Sequence, residues 1–154
     1  MADVWACVFV FAACLSFGVA FSLRGKKILF AALGGSLSWA VYLAVVGLLP
    51  QGDILANFVA AAAVTLYSEL MARRHKTPAS VYLVVSFLPL VPGSGIYYTM
   101  EYGMAGDTAA FLATGLHTVQ VAGAIVVGIV VAGSFVRVYY RVKERVQRAW
   151  AGSR

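Results

Sequence analysis

Polar positions along this chain gather into four short clusters and a tail, and the stretches between them are apolar over membrane-scale lengths. The runs are 4–23, 28–49, 54–72, 79–104 and 108–136, against the about 20 residues that a helix needs to cross a hydrocarbon core of about 30 Å. The pattern predicts five transmembrane helices in a single transmembrane domain, 1–136, with a basic cytoplasmic tail, 137–154. The predicted class is an all-α integral membrane protein.

The fourth run is irregular. Ala79 to Leu88 is apolar for only ten residues, and Pro89-Leu90-Val91-Pro92-Gly93-Ser94-Gly95 follows where backbone at membrane depth is expected. Each proline removes a backbone N–H and crowds the carbonyl four residues earlier, which disfavours one uninterrupted helix through both. The expectation is a discontinuous span with a second half-helix over 96–104, a re-entrant hairpin being the competing geometry. Freed backbone in lipid persists where protein buries it or where it lines a water-filled cavity. Pro89, Pro92, Gly93, Ser94 and Gly95 are therefore the first candidates for a solute path.

Composition supports lipid as the solvent: 62% of residues are hydrophobic and 12% charged, with mean hydropathy +0.86, whereas a soluble chain is about 45–50% apolar and about 25% charged. The net charge of +6 does not point to nucleic acid, because the basic residues cluster between apolar runs. With five crossings and the N-terminus outside, all twelve Lys and Arg fall on the cytoplasmic side: three after the first span, three after the third and six after the fifth. Asp3, Asp53 and Asp107 fall outside, with Glu101 toward that side. A hairpin at 79–92 would instead put the last six positives on the wrong side. The first run reads as an uncleaved helix, since Asp3 precedes it and Arg24, Lys26 and Lys27 follow. Cys7 and Cys14 lie about 10 Å apart along it, too far for a disulfide, and read as packed apolar side chains.

Charges within spans each ask for an explanation. Glu69 stands four residues before Arg73, which fits either a helix-end ion pair or a proton or cation site at the inner mouth. His117 lies nine residues into the fifth span, about 14 Å from its outer end, with Thr114 and Gln120 three residues to either side on one broad face. It fits either a structural hydrogen bond to a carbonyl or a proton relay or solute contact. Glu69 and His117 are the coupling candidates; Tyr97, Thr114 and Gln120 join the path candidates. Ala56, Ala60 and Ala63 keep one face of the third span small enough for another helix to approach. The tail puts Val138, Val142, Val146 and Ala149 on one face, as a cytoplasmic anchor or a helix lying along the membrane surface. Metal-ligand spacing, phosphate loops and nucleophile motifs are absent from the sequence, so no metal, cofactor or catalytic residue is expected.

Glu69-Leu70-Met71-Ala72-Arg73, Lys76, Pro78, then Pro89-Leu90-Val91-Pro92-Gly93, Tyr97 and Met100 together resemble the membrane domain of the threonine/serine exporter family. The layout agrees over nearly the whole chain, and the specific part is 69–100. Some members of that family are single long chains and others are split in two; this sequence is similar to the small subunit of the split form. The resemblance implies a bacterial inner-membrane exporter of threonine and serine, driven by the proton gradient, or of dicarboxylates, a substrate class also associated with split members. It further implies a larger membrane partner carrying a cytoplasmic domain. A half-helix N-terminus after the break would suit the carboxylate of either solute. The alternatives are a non-transporting membrane scaffold or assembly subunit, and a self-sufficient homo-oligomeric channel.

Overall fold

The computed structural model describes residues 2–49 and 52–151, with side chains described for 4–49, 52–143 and Arg145. Pro50 and Gln51 of the expected turn, and the side chains of Asp3, Val146 and Ala149, lie outside the described residues. The described chain is helical throughout: α1 Ala2–Ala20, α2 Lys26–Leu48, α3 Asp53–His75, α4 Ser80–Ser86, a 3-10 turn Leu88–Leu90, α5 Gly93–Ala105 and α6 Thr108–Ala151.

Local chemistry sets most of the boundaries. α1 and α3 both close in Schellman geometry, with Ser22 (φ 58°) and Lys76 (φ 51°) in the left-handed position. In α1, Leu23 N–H reaches Gly18 O at 3.0 Å; in α3, Thr77 N–H reaches Ala72 O at 2.9 Å, and Pro78 then prevents continuation. α5 ends the same way on Gly106 (φ 77°), where glycine carries no Cβ penalty. Asp107 then caps α6, its Oδ1 accepting from Ala110 N–H at 3.0 Å. Two ends differ from the sequence expectation. α3 continues past Ala72 through Arg73, Arg74 and His75, because basic residues suit the negative end of a helix. α6 runs unbroken to Ala151, so no bend marks the expected start of the tail at 137.

Among the described residues, three helices are long and apolar enough to cross a membrane: Lys26–Leu48, Asp53–His75 and the Thr108–Lys143 part of α6. The pair Ser80–Leu90 and Gly93–Ala105 makes a fourth if counted as one span, and Val4–Ala20 is a shorter apolar helix. The axes of that pair differ by 49° at the break, the geometry of a broken span or of a re-entrant loop.

α3 is the central helix, packing on α2, α4 and α6. Small residues permit the close approach: Ala56, Ala60 and Ala61 are fully buried, and a Cβ on Gly128 of α6 would lie 2.6 Å from Phe58 O. Gly34 and Gly35 of α2 do the same for α4 and α1, since their missing side chains would collide with Ser86 and Cys14. Cys14 is buried in that contact and, like Cys7, is a free thiol. α3 and α6 are tied at both ends, by Asp53 against His117 and by Arg73 stacked 3.6 Å over the Tyr140 ring. Between those ties α3 advances about 30 Å, one hydrocarbon thickness. The outward faces carry exposed Phe9, Val19, Val126, Val130 and Phe135, as lipid-facing surfaces do.

Candidate functional site

The break is where the helices leave space. Pro92 is the residue before α5, and Gly93, Ser94 and Gly95 form its first turn, so the half-helix begins three residues earlier than the sequence suggested. Proline fixes a backbone angle compatible with helix entry, and its missing N–H is no loss there. The N–H groups of Ser94 and Gly95 have no protein partner among the described residues. Gly95 meets Thr118 of α6 so closely that a Cβ would collide with its side chain, whereas a Cβ on Gly93 would meet nothing.

A cavity of about 210 Å³ opens against this turn. Its wall on the break side is Pro89 to Pro92 with Ser94 and Gly95; α2 gives Trp39 and Tyr42, α3 gives Asp53 and Asn57, and α6 gives His117, Thr118 and Val121. The volume is below the roughly 300–1,000 Å³ of pockets for drug-sized ligands and suits a small solute.

Asp53, the first residue of α3, organises the polar side. Its Oδ1 accepts from Tyr42 O–H at 2.8 Å and Asn57 Nδ2 at 3.2 Å, and its Oδ2 lies 3.1 Å from His117 Nε2. Asn57 also donates to Asp53 O at 2.9 Å, which holds the first turn of the helix. The Trp39 ring stacks on Tyr42 with centroids 5.1 Å apart and so fixes the phenol toward the carboxylate. The Asp53 and His117 side chains keep 38% and 53% of their accessible surface, so both heads reach the cavity mouth. A polar contact this exposed contributes little to stability, on the order of 0–1 kcal/mol.

Of the sequence candidates, Pro89, Pro92, Ser94, Gly95 and His117 line this cavity. Gly93 sits at the start of the turn beside it, and Tyr97 is exposed one turn farther along α5, edge-on to Tyr98. Thr114 accepts from Thr118 through its carbonyl, and Gln120 lines a separate shallow depression between α3 and α6 with Gly52 and Phe58. The expected face of Thr114, His117 and Gln120 is thus divided among three surroundings. Glu69 stands 3.6 Å from Arg73, whose guanidinium is also over Tyr140, and it does not line the cavity.

His117, nine residues into α6, is level with the first residue of α3. The α5–α6 hairpin projects past that point, about 14 Å from Thr108 to His117. Trp39, Tyr42, Asp53, Asn57 and Thr118 were not sequence candidates. Asp53 reads there as an ordinary turn charge; the signal for it was an acidic residue opening a span with an amide four residues later.

A polar cavity beside a broken helix is the arrangement in which multi-pass secondary transporters build their solute sites. Residues 6–135 match the family model described as "Threonine/Serine exporter, ThrE", and the chain belongs to that family. No curated protein and no solved structure matches the chain.

Proposed function

We propose that this chain is the membrane subunit of a proton-coupled secondary exporter of small amino acids, with the cavity at the break as its solute site. The observation that carries the reading is the presence on one small cavity of two complementary charged features: the Asp53 carboxylate and the unpaired N–H groups that open α5. An α-amino acid presents an ammonium to the first and a carboxylate to the second. A dicarboxylate would set a second negative charge against Asp53, so threonine and serine fit this cavity better than succinate. His117, within hydrogen-bond reach of Asp53, is the coupling candidate, since protonation of either group changes the charge that the solute meets. Glu69, tied to Arg73, acts in this reading as a helix-end ion pair.

Five crossings, with the N-terminus outside and the tail in the cytoplasm of a bacterial inner membrane, accommodate the charge partition. The 49° bend is compatible with a crossing of that kind. A larger partner with a cytoplasmic domain completes the exporter; the exposed apolar side chains of α5, Ile96, Met100 and Met104 among them, leave surface for it or for lipid.

The test is efflux from native cells preloaded with labelled threonine, serine or succinate, with and without this chain. Loss of threonine and serine efflux on deletion supports the reading, and loss confined to succinate assigns the other substrate class. Unchanged efflux of all three contradicts it and favours the scaffold.

A further inference from the structure

A second set of polar groups leads from the cavity wall at Asn57 into the bundle. On α3, Asn57, Ser68 and His75 recur at helical spacings on one face, which runs about 27 Å from the cavity to the basic end. α2 and α4 bring Ser38, Ser86 and Tyr82 into the same core, and these three and Ser68 are fully buried.

The hydrogen bonds of this set have a common form. Ser38 O–H donates to Gly35 O at 2.8 Å or Ser86 O at 3.0 Å, Ser86 O–H donates to Ala31 O at 2.8 Å, and Tyr67 O–H donates to Phe30 O at 2.8 Å. Each hydroxyl gives its proton to a carbonyl and keeps its own lone pairs free to accept. Ser86 and the Tyr67 ring both crowd the missing side chain of Gly34, so these groups are neighbours in space. At the far end Tyr82 O–H is 2.9 Å from His75 Nδ1, and the imidazole lies on the Phe30 ring at 4.8 Å.

Three side-chain polar atoms among the described residues are buried with no partner: Trp39 Nε1, Ser68 Oγ and Thr77 Oγ1. They lie beside the cavity, in the core face of α3 and next to the His75 end. Buried polar groups without partners are costly, and ordered water is the usual remedy. All three orphans therefore fall along one route, where free acceptor lone pairs are also in place.

We propose that the α2–α3–α4 core holds a water-bridged file of hydroxyls joining the cavity to His75, and that His75 is the proton port at the basic end. The proton role rests on the proton-coupled reading above; the water file does not. In the step at the port, Tyr82 O–H gives its proton to His75 Nδ1 and takes a replacement from the water behind it. His75 releases its Nε2 proton to bulk water; ring rotation then exposes Nδ1–H to bulk water, which takes that proton and returns one to Nε2, restoring the first tautomer. One proton enters, one leaves, and no charge remains. Around His75 the titratable groups are Tyr82 from α4, Tyr67 from α3, and Arg73, Arg74 and Lys76 at the end of its own helix. α2 presents the uncharged Phe30 ring, with Lys27 three residues before it.

The experiment has two arms. Water-edited solid-state NMR of the chain in lipid bilayers follows magnetisation from water to side chains. Ser38, Ser68 and Ser86 should build up several-fold faster than Ala32, Ala60 and Ala61, which are equally buried; equally slow build-up overturns the file. In vesicles with the native exporter, His75→Gln and Tyr82→Phe should each lose uphill transport driven by a pH gradient while solute exchange persists. Wild-type uphill transport in both variants overturns the port. Vesicles that move no solute contradict the exporter reading, and the NMR comparison still decides the file.

Discussion

Two glycines separated by one residue behave differently at the break. A side chain at Gly95 would be driven into Thr118, whereas one at Gly93 meets open space. Gly95→Val should therefore destabilise the α5–α6 contact by about 1–3 kcal/mol, and Gly93→Ala should stay within about 0.5 kcal/mol of wild type; thermal unfolding in detergent distinguishes them. The same geometry makes Gly128 the critical glycine of α6, because its missing side chain faces the Phe58 carbonyl of α3. Gly128→Leu should reduce the folded yield, and Gly123→Leu, at a position with nothing within 4 Å, should leave it unchanged in size-exclusion profiles. Asp53 was hidden in the sequence because a carboxylate beside Pro50 and Gly52 reads as a solvated turn. Its importance arises only when α6 brings His117 alongside, from 64 residues away.

The helices themselves were legible as apolar runs bounded by proline, glycine and basic clusters, and the interruption at Pro89 to Gly95 was legible from proline chemistry alone. What could not be read was how the interruption divides. Gly93-Ser94-Gly95 looks like loop by composition, yet it forms the first turn of α5 because Pro92 sets the entry and the contact with Thr118 requires a small residue. Nor does an apolar pattern say which residues of two spans stand level, so the pairing of His117 with the first residue of α3 cannot be counted from Thr108. If the break exists to keep this turn open on the cavity, replacing Pro89 and Pro92 by alanine should restore the missing N–H groups and straighten the pair. Efflux should then fall several-fold at unchanged membrane abundance; wild-type efflux from the straightened variant would leave the break without a role.

For the whole molecule, the ties Asp53–His117 and Arg73–Tyr140 delimit a band about 30 Å deep, with basic residues gathered beyond one edge. In intact cells, single cysteines at Gly106 and Gln51 should react with an impermeant thiol reagent and one at Lys76 should not, on a background lacking Cys7 and Cys14. The reverse pattern would invert the orientation. The central claim is that a solute meets Asp53 beside the broken helix. Its most direct test is threonine efflux from preloaded cells in which Asp53→Asn replaces the native chain at equal membrane abundance. The asparagine keeps the size and an acceptor for Tyr42 but removes the charge, and efflux should fall at least tenfold, about 1.4 kcal/mol or more of lost interaction; efflux equal to wild type would contradict the account.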